Sequence, residues 1–496
     1  MAQSKKTEKR RYPELTFMLR TQKIFILLFL ILLGCKKEPN GSDKSSIFAV
    51  DPLGSSLPYL VVQTDETIQN EPKVPGTLTV YVEGKEQFKT TIGIEYRGST
   101  SYRLSDKKSY GVETWDEAGE DVSVSLLDFP EEEDWILMGH VYRASTNTIF
   151  DPTLMHHYLG YELSRAVGRY ASRGKYVELE VNGDYKGAYI FMEKLKRDKN
   201  RIDIKKLDED DTDPERITGG YILKIDKTSG SDVAADQPLE YYENNWDDDA
   251  KYSEYLGFRS QFDIFGNPLS TPPFGPPYHA EQYLETYFLY EHPKAEDITA
   301  IQKEYIQNYI LNFEKALLED DFESETRTYT DYIDLESFAD YFILNELTGN
   351  IDAYRLSTYL HKDRGGLLKM GPLWDLNIGY GRQGRVPVTD WIANYNNYVD
   401  RDAWMVPFWW PRLLQDPVFR NTVKNRWQEY RQGALNTSNV LGKVDQTANS
   451  LIDNGLIDRN YTRWTGISVD YEESVNALKT YLSNRLDWMD STIGGF

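Results

Sequence analysis

From residue 57 to 226 the apolar runs of this chain are short, β-branched and aromatic; beyond about 295 they lengthen and take helical spacing. That change of period excludes an all-strand or all-helical domain. It predicts an α+β fold, with a β-rich N-terminal lobe over 57–265 and a mainly helical C-terminal lobe over 266–496. Segments 57–64 (LPYLVVQT), 76–84 (GTLTVYVEG), 90–98 (TTIGIEYRG) and 107–115 (KKSYGVETW) read as strands, followed by a short apolar run at 135–137. Asn182-Gly183 between the alternating runs 174–181 and 185–193 is a strong hairpin signal. Residues 219–226 (GGYILKID) add another strand. One helix interrupts this half. Asp151 is a good N-cap, Pro152 suits the first helical position and Gly168 is a natural stop, so the spacing predicts a helix over 151–167. The Pro- and Gly-rich stretch 264–279 marks the crossing between lobes. Helices follow near 295–318, 334–348, 416–431, 439–453 and 470–491.

The chain before residue 57 has a different character. Residues 24–33 form an apolar run too short to span a bilayer and of the size of a signal-peptide core. It ends in Leu32-Leu33-Gly34-Cys35, which resembles a bacterial lipobox. That resemblance implies a signal peptide over 1–35, with Met18 as a more compact start, and lipidation of Cys35. Residues 36–56 then read as a flexible tether. The expected place is the bacterial cell envelope, with the chain held on a membrane by its lipid. A net charge of −23 argues against duplex nucleic acid as a partner. A lone cysteine allows no disulfide framework and no thiolate zinc site.

The residues with chemical promise fall in two places. Asp352 and Asp375 bracket a predicted hairpin: strand 356–361, turn 362–366, strand 367–370. Both have apolar neighbours. Asn377 lies two residues past Asp375, so on an extended segment it shares a face with it, and an Asp-x-Asn pair offers hard oxygen ligands to Mg²⁺. In the first half, Arg97-Gly98-Ser99-Thr100-Ser101 follows one strand and Lys107-Lys108 open the next. Arg97 and Lys108 are candidate phosphate ligands. Glu193, at the end of a strand, is a candidate for lysine pairing or metal, with Glu162 its competitor. Phosphoryl transfer asks for this set: cations on the phosphates, carboxylates to hold Mg²⁺, and a carboxylate near the acceptor hydroxyl. Taken singly, each residue also has a structural reading, as a turn acid, a surface lysine or a salt-bridged glutamate. The adjacent His156 and His157 cannot face one ligand from a helix and read as packing residues.

Together these segments resemble the CotH kinase family, the atypical kinases named for spore coat protein H. The carrying pieces are Tyr96–Ser101 with Lys107–Tyr110, the helix opened by Asp151, Val181–Tyr189 with Glu193, Asn350–Arg355 and Gly371–Asn377. The lipobox and the Tyr/Trp-rich composition are similar to exported members of Bacteroidetes type. The resemblance implies a divergent, two-lobed protein-kinase-like fold that moves the ATP γ-phosphoryl to Ser or Thr of a protein with Mg²⁺ or Mn²⁺. It gives Asp352 the catalytic-loop role, Asp375 and Asn377 the metal, and Arg97, Lys108 and Glu193 the nucleotide. Two positions depart from pattern. Asn377 stands where many relatives have a second Asp, and Ser357 stands five residues after Asp352, where ordinary kinases place a metal-binding Asn. A second reading is a non-catalytic, pseudokinase-like surface lipoprotein. It would bind glycan or protein through exposed aromatics among Tyr395, Tyr398, Trp404, Trp409 and Trp410.

Overall fold

The computed structural model describes residues 56–228, 244–382 and 384–496. The expected signal peptide, the lipidated Cys35 and nearly all of the tether lie outside the described residues. Seven strands close into a barrel: β1 (Tyr59–Gln63), β2 (Val74–Val82), β3 (Lys85–Arg97), β4 (Ser109–Trp115), β5 (Asp134–Met138), β8 (Gly174–Val181) and β9 (Asp184–Glu193). Their order is β1-β2-β3-β4-β5-β9-β8, and closure comes from a parallel pairing of β1 with β8, Tyr59 opposite Glu178. All other neighbours are antiparallel. The strand pairs alternate as their sequences do, so Leu60, Val62, Leu78, Ile92, Val112 and Leu179 fill the barrel. Closure leaves no open sheet edge here. Between β5 and β8 lie a two-stranded ribbon, β6 (Tyr142–Arg143) and β7 (Thr148–Ile149), and the first long helix.

A second sheet is built from β10 (Tyr221–Ile225), β11 (Gly257–Arg259), β12 (Tyr287–His292), β13 (Thr358–Lys362) and β14 (Leu368–Met370), in the order β11-β12-β10-β13-β14. It is antiparallel throughout. The predicted hairpin is β13–β14. The predicted division at 265 runs through this sheet, because β10 pairs with β13 across 133 residues of chain, Ile225 opposite Thr358. The C-terminal half is therefore helices packed on a sheet that borrows two strands from the first half, and the α+β reading stands.

The helices are α1 (Thr100–Leu104), α2 (His156–Ala166), α3 (Ala300–Leu318), α4 (Leu335–Thr348), α5 (Trp409–Leu413), α6 (Pro417–Gln432), α7 (Thr437–Asp453), α8 (Leu456–Arg463) and α9 (Tyr471–Gly494). Among the described residues none is long and apolar enough to cross a membrane. The start of α2 corrects the prediction. Asp151 does not open the helix; Leu154 sits at φ 61°, which breaks the right-handed path, and the helix begins at His156. The Asp151 carboxylate instead accepts the backbone N–H of Thr153 at 2.9 Å and of His156 at 2.7 Å. α4 is the central post. Asp334 caps its start by accepting from Ser337 N–H, Gly349 ends it at φ 56°, and every residue from Ser337 to Thr348 is buried. A helix buried on all sides needs walls on all sides. Trp410 stacks on its Tyr341 and Phe342, α6 packs beside it, and Arg485 of α9 pairs with its Glu346 at 2.9 Å.

Candidate active site

α4 delivers the chain to Asp352, and the β13–β14 hairpin carries it on to Asp375. Tyr354 (φ 73°), Ser357 (φ 47°) and Asp375 (φ 51°) all lie in the left-handed region. Each such non-glycine residue costs roughly 1–3 kcal/mol and persists only where its surroundings enforce it. The surroundings here are specific. Arg355, 3 % exposed, donates to Asp352 Oδ1 at 2.6 Å, to the Ile351 carbonyl at 3.0 Å and to the Trp404 carbonyl at 3.1 Å. Its guanidinium also lies 4.3 Å from the Tyr395 ring centre. Asp352 is thus held in one orientation by a rigid fork.

Asp375 is placed by α2. Its N–H donates to Tyr161 Oη at 3.3 Å, and the next N–H, of Leu376, donates to His157 Nδ1 at 3.3 Å. Nδ1 therefore accepts, the proton sits on Nε2, and that atom is 3.8 Å from Asp375 Oδ1. Burial pushes His157 down to about 4, so it is neutral and leaves the carboxylate uncompensated. A third of the Asp375 side chain is open to solvent in the cleft. Its carboxyl is nonetheless pushed up to about 7, first by burial, then by the negative charges of Asp352 and Asp226; Arg97 and Lys227 pull the other way.

Asp226 is the residue that sequence reasoning missed. It directly follows β10, and the β10–β13 register sets it beside Ser357. Its carboxylate accepts from the N–H of Lys227 at 2.9 Å and from the N–H of Ser357, whose positive φ turns that group onto it. Burial pushes its carboxyl up as well. Tyr252 Oη fixes the same residue by donating to its carbonyl at 2.7 Å. No local motif marks Asp226; only the strand pairing brings it to Asp352 and Asp375.

Arg97, at the end of β3, meets the acids from the barrel side. Its guanidinium lies 5.8 Å from the Trp374 ring centre and has no hydrogen-bond or ion-pair partner among the described residues. Other candidates lie elsewhere. Lys108 Nζ donates to the Tyr102 carbonyl at 2.5 Å and sits 4.9 Å from the Tyr102 ring centre. Glu193, 1 % exposed, is bonded by the backbone and guanidinium of Arg173, with Arg201 at 3.8 Å. Arginines, and no lysine, surround it. Glu162 pairs with Arg165 and Lys443. Asn377 does not share a strand face with Asp375, since residues 377–382 are turn and Asp375 itself is not extended. Its carbonyl accepts from His156 Nδ1 at 3.1 Å. The acidic trio Glu132, Glu133 and Asp134 is met by Lys196, at 2.9 Å from both Glu132 and Asp134, by Lys194 at 3.0 Å from Asp134 and by Arg201 at 3.8 Å from Glu132. The expected aromatic surface is also corrected. Tyr395, Trp409 and Trp410 are core residues and Trp404 is half-buried against Tyr252 and Lys227, so only Tyr398 is exposed.

Three carboxylates on one wall and free or loosely held cations on the other form a cleft suited to a divalent cation and a polyanion. A sequence model of the family described as CotH kinase protein matches residues 94–489, a span that contains Arg97 and all three acids. No curated protein matches the chain.

Proposed function

The chain belongs to the CotH kinase protein family, and from that premise we propose that it transfers the γ-phosphoryl group of ATP to a Ser or Thr hydroxyl of a protein. The observation that supports this most is the convergence of Asp226, Asp352 and Asp375 opposite an unpaired Arg97. Burial, and then the nearby charges of Asp352 and Asp226, raise the Asp375 carboxyl, which fits a site completed by a cation. Carboxylate oxygens suit Mg²⁺ or Mn²⁺. Asp375 and Asp226 would hold the ion. When bound, the ion supplies charge neutralisation on the phosphates.

The rest falls to the chain's own residues. Arg97 binds phosphate oxygens, for which its planar fork is well shaped. Asp352, held by Arg355, takes the proton of the acceptor hydroxyl as that oxygen bonds to the γ-phosphorus. The bond from γ-phosphorus to the β–γ bridging oxygen breaks, and ADP leaves with that oxygen. In this division of labour Arg97 comes from the barrel, and the acids come from the segments after β10, α4 and β14. We place the protein in the bacterial envelope, lipid-anchored through Cys35, with a protein acceptor. Of the five aromatics on which the glycan- or protein-binding alternative drew, only Tyr398 is exposed, which supports that alternative less.

The test pairs nucleotide binding with transfer. ATP with Mn²⁺ is expected to raise the melting temperature of the wild type and of Asp352→Ala, but not of Asp375→Ala. Transfer from γ-labelled ATP to protein is expected from the wild type alone. A wild type that shows no shift at millimolar ATP would refute the reading.

A further inference from the structure

We propose that Lys227, and not Lys108, is the lysine that meets the nucleotide phosphates, and that Asp249 is the acid that holds it in place. This rests on the phosphoryl-transfer reading and names one of its binding groups. Lys227 directly follows Asp226, so its backbone is already at the acid cluster. Its side chain reaches toward the barrel: Nζ lies 3.2 Å from Thr100 Oγ1, 3.8 Å from Asp249 Oδ2 and 4.8 Å from the Trp404 ring centre. It bridges the acid wall and the Arg97-Gly98-Ser99-Thr100-Ser101 turn.

Asp249 is 1 % exposed. One of its oxygens, Oδ1, accepts from Ser99 Oγ at 2.7 Å and from Arg103 Nη1 at 2.6 Å. The other, Oδ2, is buried without a hydrogen-bond partner. A buried carboxylate oxygen in that state is costly, and the cation next to it is Lys227. At 3.8 Å the pair is close enough to hold the ammonium electrostatically while leaving its protons for another acceptor. Gly98 permits the turn itself: it sits at φ 96°, and a Cβ there would lie 2.2 Å from Ser101 Oγ. Asp249 thus docks the turn through Ser99 and aligns Lys227 beneath it. Lys108, one strand away, is spent on the carbonyl and ring of Tyr102 within its own turn. Lys227 and Arg97 both lower the Asp375 carboxyl, which places both cations near it.

The experiment measures the affinity of the full-length protein for ATP by titrating a fluorescent ATP analogue in the presence of Mn²⁺, with Mn²⁺ binding alone followed by electron paramagnetic resonance. Lys227→Met is expected to weaken nucleotide binding about tenfold or more, the scale of one charge-assisted contact, and to leave Mn²⁺ binding intact or tighter. Lys227→Arg, which keeps the charge, is expected to stay within about threefold of wild type. Lys108→Met is expected to change affinity less than twofold. Undiminished affinity in Lys227→Met, or the large loss appearing in Lys108→Met instead, would overturn the assignment while leaving the kinase reading in place. A wild type that binds Mn²⁺ but no nucleotide would overturn both.

Discussion

Replacing Asp375 with Asn removes the most crowded charge of the site, and the outcome has a calculable sign. In the folded protein the carboxyl moves from its usual 3.8 to about 7. An acid raised in this way is protonated in both states below about pH 4, so it contributes nothing there. Between about pH 4 and 7 the unfolded chain releases the proton and the folded one does not, and stability falls as pH rises. Above about pH 7 the full penalty is present, about 4 kcal/mol for a shift of this size. Solvent reaches a third of the side chain, which lowers the figure to about 2 kcal/mol. Asp375→Asn should therefore be more stable than wild type by about 2 kcal/mol at pH 8 in EDTA, a rise of roughly 2 °C in melting temperature for a chain of this size. The gain should shrink steadily to nothing near pH 4. Saturating Mn²⁺ should reverse the order, because a ligand at a hundred times its Kd adds about 2.7 kcal/mol to the form that binds it. Differential scanning fluorimetry across pH 4–8, with and without Mn²⁺, reads all of this. A variant less stable than wild type at pH 8 in EDTA, or a difference that ignores pH, would refute the raised Asp375 carboxyl.

Two further substitutions test how the site is supported. Arg485→Met leaves Glu346 without its cation, although that carboxylate is fully buried and also accepts from the N–H groups of Ile392 and Ala393. A loss of about 3–5 kcal/mol is expected, visible in thermal melts and partly recovered in the Glu346→Gln, Arg485→Met double variant. Gly160→Ala puts a methyl group 2.0 Å from Leu376 Cδ1, across the contact by which α2 places the segment after Asp375. It should cost about 1–3 kcal/mol and weaken Mn²⁺ binding, whereas a change in stability with Mn²⁺ affinity untouched would separate α2 from the site.

What was legible in the sequence and what was not divide along a physical line. Asp352 and Asp375 could be paired because only a hairpin separates them, and alternation with Gly365-Gly366 at the turn defines a hairpin locally. The strands of the barrel were legible for the same reason. Their closure was not, since the β1–β8 pairing joins segments 119 residues apart and no local pattern records it. The helix start at Asp151 misled because an acid followed by Pro satisfies a capping rule equally well when its carboxylate closes a turn. Asn377 misled because alternation assumes an extended strand, and Asp375 at φ 51° ends it. Glu193 had the right surroundings for a functional acid, an apolar strand end, but its partners come from Arg173 and Arg201.

The same line runs through the site itself. Asp226 and Lys227 look in sequence like the polar end of an ordinary strand. They acquire a role only because Ile225 pairs with Thr358, and a slip of one residue in that register would turn Asp226 away from Ser357. One strand pairing thus delivers an acid and a cation to the cleft together, from a segment that the sequence assigns to the other lobe. The departure at Ser357 then has a physical counterpart. Where ordinary kinases present an amide side chain, this chain presents a backbone N–H, and what that N–H holds is the carboxylate of Asp226. On the proposed reading, the oxygen ligand missing from position 357 would come from the segment after the neighbouring strand, which is why the site can be judged only from three dimensions and not from its two motifs.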